Sequence, residues 1–415
     1  MDFIPEQGLA MTTVPLYLAG GELGVASAPK AYTVLVTRDR RMLIPTAELP
    51  MRIALVPTFT DPQSRWREEE LRCFLEGTYD PPPPAELFAR LVGVFEKYLT
   101  LGGPVEAKLL AAWTIATYLF PAWAAFGILK CEAPPASGKT RLLTLLYHTC
   151  FNAISMANVT PAAMARICVN RATGIIDEQE DLSAKRELRL ILNAGYRREG
   201  GDVVRSAGRG RLAKYPVYGP RAIGSIAGLD EVLASRAIVL KMAPSADATK
   251  TSLLLDERSE DFACIRAALY STALTRWRDV LAAKVPAIPG LSARRLEVFL
   301  PLLQVARFVD PTGAVAAEIA AFATRSSLRL PSAAALTPIE RKVAEALAAL
   351  PDDGQERTSS ALREAVVARF PDLAVLTPAA IGLILAKHQM VTKRRTPAGA
   401  LYRVEIPRVT LLARV

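Results

Sequence analysis

Apolar positions follow two rhythms along this chain. Over residues 1–80 short β-like runs (Pro15–Leu18, Tyr32–Val36, Met42–Ile44, Arg52–Val56) are broken by Pro and Gly, which predicts a small β-rich module. Between two of these runs, Thr37-Arg-Asp-Arg-Arg41 reads as a charged hairpin turn, and solvation alone accounts for its charges. Tyr79-Asp-Pro-Pro-Pro-Pro84 is a stiff linker. The rhythm then changes. Leu87, Leu91, Val94, Phe95 and Leu99 recur at helical spacing within Ala85–Leu101, and Gly102-Gly103-Pro104 ends that helix. A second, buried helix is expected over Val105–Phe120, giving a helical layer across residues 85–125. Leu109–Leu129 carries no charge over a length able to cross a bilayer. Pro121 splits it, however, and a buried helix followed by a central strand explains the same apolarity, so no membrane partner is expected.

From Phe126 the pattern alternates strand and helix, as in a parallel sheet with crossover helices. The stretch Phe126–Cys131 reads as a buried strand, and a helix starts at Lys139 or Thr140. Between them the chain carries Pro135, Ala136, Ser137 and Gly138, the layout of a phosphate-binding loop. Its backbone N–H groups and the helix N-terminus suit phosphate, Lys139 suits β- and γ-phosphates, and the Thr140 hydroxyl suits Mg²⁺. The chain departs from the strict loop pattern at Ala133, where glycine is expected, and Pro134 and Pro135 supply no N–H. A short strand, Ala153–Met156, and a helix, Ala162–Val169, come next. Thr173-Gly-Ile-Ile-Asp-Glu178 is then an apolar strand ending in two acids. Asp177 is placed to hold Mg²⁺, and Glu178 to orient or deprotonate the attacking water.

Beyond a helix over Glu180–Ala194, a hairpin is expected with strands Asp202–Ser206 and Leu212–Val217 and tip Gly208-Arg-Gly-Arg211. Arg197, Arg198, Arg205, Arg209, Arg211 and Lys214 stud this segment. They suit nucleic-acid phosphates without sequence reading, and a solvated basic hairpin is the other reading. Arg221–Ile226 is a further strand, with Ser225 as a candidate γ-phosphate sensor. Arg236, just before another strand, is either an arginine finger offered to a neighbouring subunit or an ordinary surface arginine. Helices follow over Glu257–Lys284 and Ser292–Phe308, and Arg294 and Arg295 in the first turn of the latter are sensor candidates. Ser326–Ala335 reads as a linker. The remainder, residues 335–415, has three helices and a terminal hairpin (Val391–Arg395, Leu401–Ile406), the order of a winged helix. Its third helix is poor in base-reading residues. Lys393, Arg394 and Arg395 on the hairpin suit phosphates, and protein–protein contact is equally open.

Composition narrows the classes. A chain of 415 residues with 51% hydrophobic and 22% charged residues is globular and long enough for two or three domains. Its formal charge of +10 favours an anionic partner, most simply nucleic acid. The five cysteines are scattered and odd in number, and only two histidines are present, which speaks for a reducing cytoplasm and against a zinc site. MDFIPEQ lacks the basic, then apolar, order of a signal peptide.

In order along the chain stand ATYLFPAW, SGKTRLL, NVTPAAMAR, GIIDEQEDL, LILNAGYRREGGDVVR, YPVYGPRAIGSIAGL, LASRAIVL and ARRLEVFLPLL. On this set, spanning about Leu109 to Leu303, the chain resembles the AAA+-type ATPases of phage, plasmid and integrative-element replication proteins, relatives of superfamily 3 and MCM-like helicases. The resemblance implies an α/β fold: a P-loop AAA+-type core with helical lid over residues 126–325, joined to the β-rich module, the helical layer and the winged helix. It implies ATP and Mg²⁺ as cofactors, with nucleotide at Lys139 and Thr140, Mg²⁺ and water activation at Asp177 and Glu178, and sensing at Ser225. A finger at Arg236, a second sensor at Arg294 and DNA contact by the hairpin are implied as well. The expected function is a ring-forming, hexameric DNA helicase or translocase of a mobile element, with other replication proteins as further partners. The alternatives are an ATPase that loads or remodels another replication protein, and a DNA-binding initiator or regulatory module with a weak nucleotide site. No primase or nuclease motif is evident, and a small-molecule kinase would leave the basic hairpin unexplained.

Overall fold

The computed structural model describes residues 2–4, 9–18, 30–43, 66–157, 159–169, 171–177, 185–199, 201–206, 212–226, 229, 231–328, 338–387, 390–396, 399–406 and 409–410. The chain divides into two compact units, Met1–Leu328 and Arg329–Val415.

The first unit opens with an antiparallel sheet of β1 (Asp2–Ile4), β2 (Leu9–Leu18), β3 (Lys30–Thr37) and β4 (Met42–Leu43). The predicted charged turn is found: the Thr37 N–H donates to the Arg41 carbonyl (3.0 Å), with Arg40 at φ 61°. Arg40 is committed within the protein, pairing with Asp80 (2.6 Å) and lying over the Phe74 ring. The run expected over Arg52–Val56 lies outside the described residues.

Three helices follow: α1 (Glu68–Glu76), α2 (Pro84–Tyr98) and α3 (Pro104–Thr117). Proline at the start of α2 and of α3 is placed where its missing N–H costs nothing. From Leu109 onward every residue of α3 is buried, which is why that stretch mimics a membrane span. Among the described residues no helix is long and apolar enough to cross a membrane.

The central sheet is parallel. Its strands and the helices between them are β5 (Ile128–Glu132), α4 (Lys139–Thr149), β6 (Ala153–Met156), α5 (Pro161–Val169), β7 (Thr173–Ile176), α6 (Arg186–Ala194), the hairpin β8 (Asp202–Ser206) and β9 (Leu212–Pro216), β10 (Arg221–Ser225), α7 (Glu231–Ala234) and β11 (Ala237–Lys241). The strand order is β11-β5-β10-β7-β6. Chain order therefore differs from spatial order at one decisive place: β10 inserts between β5 and β7, pairing with both.

Alternation along these strands feeds two apolar layers. On one face Leu129, Cys131, Ile175 and Ala222 pack with α2, α3 and α4 and with α9 (Glu260–Ala282), α10 (Ala293–Val309) and α11 (Ala314–Leu328), which follow the short α8 (Ala248–Ser252). On the other, Ile128, Ile176 and Ile223 pack with α5, α6 and α7. Ala10 and Val36 of the antiparallel sheet and Trp66, Leu71 and Phe74 join the first layer. The β-rich segment and helical layer thus share one compact unit with the sheet rather than standing as units of their own. The linker expected from Ser326 is corrected at its start, because α11 continues through Leu328.

The second unit contains α12 (Pro338–Ala348), β12 (Glu356–Thr358), α13 (Ser359–Arg369), α14 (Pro378–Lys387), β13 (Val391–Thr396) and β14 (Gly399–Val404) around Val343, Leu347, Leu362, Val366, Ile381 and Leu385. The three helices and final hairpin are where the pattern put them. The additional strand β12 pairs antiparallel with β14, giving the order β12-β14-β13.

Candidate functional site

The loop read as phosphate-binding joins the end of β5 to the start of α4. Ala133 continues the strand: its N–H donates to the Ser225 carbonyl (3.3 Å) and its side chain is buried, so a Cβ is tolerated at the position where the strict pattern has glycine. The left-handed conformations fall later, at Ala136 (φ 61°) and Gly138 (φ 85°). The Ser137 hydroxyl donates to the Pro134 carbonyl (2.6 Å) and closes the turn from inside. Gly138 caps α4 without a side chain, which leaves the first N–H groups of an eleven-residue helix for an anion.

Lys139 and Thr140 converge on one carboxylate. The Thr140 hydroxyl donates to Asp177 Oδ2 (2.9 Å), and Lys139 Nζ lies 3.7 Å from Asp177 Oδ1. A hydroxyl and a carboxylate side by side are hard oxygen donors. Mg²⁺ takes one or two such protein groups beside phosphate and water, so the residues present fit that ion. Gly224 of β10 lets this cluster close. A Cβ there would stand 2.7 Å from a Leu143 methyl, 3.1 Å from Lys139 Cγ and 3.2 Å from Asp177 Oδ1. Glu178 lies outside the described residues.

Ser225, at the end of β10, stands between the phosphate loop and Asp177 because of the strand order. Sequence reasoning missed its partner. Lys130 on β5 is 0% exposed, and its ammonium donates to the Ser225 hydroxyl, to the Ser225 carbonyl (3.3 Å) and to the Cys131 carbonyl (3.2 Å). A lysine within the apolar run Ile128-Leu-Lys-Cys131 is the signal that was available for it. Beside the loop opens a cleft of about 890 Å³, a volume suited to a nucleotide-sized ligand. One wall is Tyr98, Leu99 and Thr100, and the other includes Ser245, Lys250 and Thr251. Arg141 ties these walls by donating to the Tyr98 and Lys250 carbonyls, and Lys250 Nζ donates to the Leu99 carbonyl (2.9 Å).

Arg236 and Arg294 are not brought to this cluster. All five strands are parallel, and the loop, Asp177 and Ser225 sit where strands end, whereas Arg236 directly precedes β11. Its guanidinium donates to the Val232 carbonyl (2.5 Å) and lies 5.0 Å over the Tyr196 ring. Arg294 is exposed in the first turn of α10. Its neighbour Arg295 donates to the carbonyls of Ala234 and Ala237 at the start of β11, and burial pulls its guanidinium down to about 10. Arg295 thus fixes α10 to the end of β11 opposite the loop. A strand of five residues is about 17 Å long, so Arg236 and Arg294 stand at the other end of the strands from Lys139, Thr140 and Asp177.

The basic hairpin is present. Lys214 is exposed on β9, where it pairs with Val204, and Arg205 occupies β8 opposite Ala213. Arg209 and Arg211 lie outside the described residues. Arg197 and Arg198 are committed at the root of the hairpin: Arg197 is 3.5 Å from Glu297, and Arg198 donates to the Pro121 carbonyl (2.8 Å). Lys393, Arg394 and Arg395 lie on β13 opposite Tyr402, Leu401 and Ala400.

No protein-family model matches the chain, and no curated protein matches it in sequence. By structure it is similar to a full-length MCM homolog from Methanopyrus kandleri, at 14% identity and TM-score 0.38 over 71% of this chain and 69% of that one. It is also similar to the apo form of the NrS-1 C-terminal region, at 13% identity and TM-score 0.37 over 90% and 93% of the two chains. With likenesses of this size, the functional reading rests on the chain's own side chains.

Proposed function

We propose that this chain is an ATP-dependent motor that assembles as a ring, a hexamer, around DNA and acts as a helicase or translocase in the replication of a mobile element. The observation that carries the reading is the convergence of Lys139 and Thr140 on Asp177 beside the uncapped start of α4. Backbone N–H groups from Ala136 to Thr140 bind phosphate, and Lys139 neutralises it. Thr140 and Asp177 hold Mg²⁺, which when bound draws charge from the phosphates. Glu178 takes the proton of the attacking water, and Ser225, held by Lys130, orients the terminal phosphate. Arg236 and Arg294, at the opposite end of the strands, act on a neighbouring copy's nucleotide, a role that requires a ring. Arg205, Arg209, Arg211 and Lys214 grip the DNA backbone. The helix and strand order of residues 338–404, with β12 beside the hairpin, supports a winged helix whose Lys393, Arg394 and Arg395 add phosphate contacts.

The test is ATP turnover and strand displacement on forked DNA. Lys139→Ala loses both nucleotide binding and turnover. Glu178→Gln keeps binding and loses turnover by about 10²–10⁴-fold, the usual contribution of a positioned base. Replacing Arg209 and Arg211 together by Ala removes stimulation by DNA while leaving turnover without DNA. Hydrolysis that DNA stimulates equally well in that double variant would overturn the motor. Turnover without strand displacement, from a protein that remains monomeric with ATP and DNA, would move the assignment to a loader.

A further inference from the structure

The chain enters and leaves the basic hairpin at Gly195 and Val217, and a single buried side chain holds both points. Arg221, the first residue of β10, is 1% exposed. Its Nη1 donates to the Gly195 carbonyl (3.1 Å), and its Nη2 donates to the Val217 carbonyl and to Cys168 Sγ (2.8 Å) on α5. A fully buried guanidinium facing carbonyls and a thiol is a costly way to fill space, because a methionine or leucine would pack there without desolvating a charge. What it adds is direction, since a planar fork grips two chain segments at a fixed separation.

The root has no slack. A Cβ on Gly195 would run into the Val217 carbonyl oxygen and the Arg221 guanidinium, and one on Gly201 would stand 2.5 Å from the Arg197 carbonyl oxygen. The other end of the same strand is the nucleotide site. Ser225 lies four residues from Arg221, about 13 Å along β10 at the usual rise, and beside it Gly224 leaves no room for a Cβ, which would stand 3.1 Å from Lys139 Cγ and 3.2 Å from Asp177 Oδ1. β10 is flanked by β5 and β7, which carry the phosphate loop and Asp177 at their ends. Any shift of β10 against those strands when the site changes its ligand moves the anchor of both hairpin legs together.

We infer that Arg221 is a positioning residue that couples the nucleotide site to the nucleic-acid hairpin through β10, so that grip on DNA and hydrolysis of ATP become conditional on each other. This rests on the function proposed above. It assigns the coupling to one side chain that touches neither nucleotide nor DNA.

The test compares wild type with Arg221→Lys, which keeps the charge and loses the fork, and with Arg221→Met. ATP turnover is measured with and without single-stranded DNA, and DNA affinity is measured with ATP and with ADP. The expected result is turnover without DNA close to wild type, stimulation by DNA reduced about tenfold, a size typical of coupling between sites, and DNA affinity that no longer depends on which nucleotide is present. A merely structural role would lower stimulated and unstimulated rates by the same factor, and that outcome overturns the inference. Should Arg221→Met fail to fold, Arg221→Lys decides. A wild type whose stimulation by DNA survives Arg221→Lys overturns this inference alone. A wild type that binds no nucleotide overturns the proposed function and the coupling with it.

Discussion

Two of the five cysteines report how tightly the apolar layer beside α4 is closed. Cys150 is buried, and burial pushes its thiol up to about 12 against the pull of hydrogen bonding with Thr114, Thr117 and Thr149. Burial also pushes Cys131 to about 12, although Lys130 and Lys139 pull it down. Both thiols keep their protons in the fold under conditions where the unfolded chain, with an ordinary value of 9.0, has begun to lose them. Their contribution to stability is therefore whole below about pH 9 and is lost as pH rises toward about 12. Thermal unfolding across this window should show a midpoint that is level and then falls, with a shallower fall in Cys150→Ala. An unchanged slope in that variant contradicts the assignment. At this scale the sequence was legible wherever chemistry and position coincide. The placement of Lys139 and Thr140 at a helix start and of Asp177 at a strand end was readable from the loop motif and the acid-ended strand, and the structure brings the three side chains together. Lys130 and Arg221 were not, because a charge inside an apolar run reads as an exposed edge until the fold shows what closes over it.

The phosphate-loop strand, its helix and the basic hairpin were legible as elements, because apolar runs bounded by Gly, Pro and charge mark their own ends. β12 was not. Glu356-Arg-Thr358 is three polar residues long and becomes a strand only through pairing with β14. Nor does local pattern contain the strand order, since β10 reaches its place between β5 and β7 by packing of remote segments. That order makes Gly224 the element-level test. Gly224→Ala pushes a methyl group against Leu143, Lys139 and Asp177, and overpacking of this kind costs about 1–3 kcal/mol. Leu143 offers a flexible side-chain end, so the strain falls on Lys139 and Asp177, the residues to which the proposed function gives phosphate and metal. Calorimetric titration should show ATP affinity weakened about tenfold, within the range that energy implies, beside a modest change in melting temperature. Equal losses in binding and stability would place the strain in the core instead.

For the whole molecule, the division falls at Leu328 and not at the proline run near residue 80. The reason is visible in Trp66, Leu71 and Phe74, which pack into the same core as α3 and α9. A fragment starting at residue 81 should therefore aggregate or melt without a cooperative transition, whereas residues 329–415, with their own core, should melt cooperatively by circular dichroism. A folded, monomeric fragment from residue 81 would contradict this. The same packing has an optical consequence. Trp66 stacks on Tyr270 (5.0 Å, interplanar 9°), Tyr270 meets Tyr118 edge-on (5.1 Å), and both meet Phe151 within 5.6 Å. Light absorbed by these tyrosines is thus delivered over contact distances to an indole at the start of α1. The emission of Trp66 is then a built-in gauge of whether the N-terminal sheet, α9 and the end of α4 are still one body.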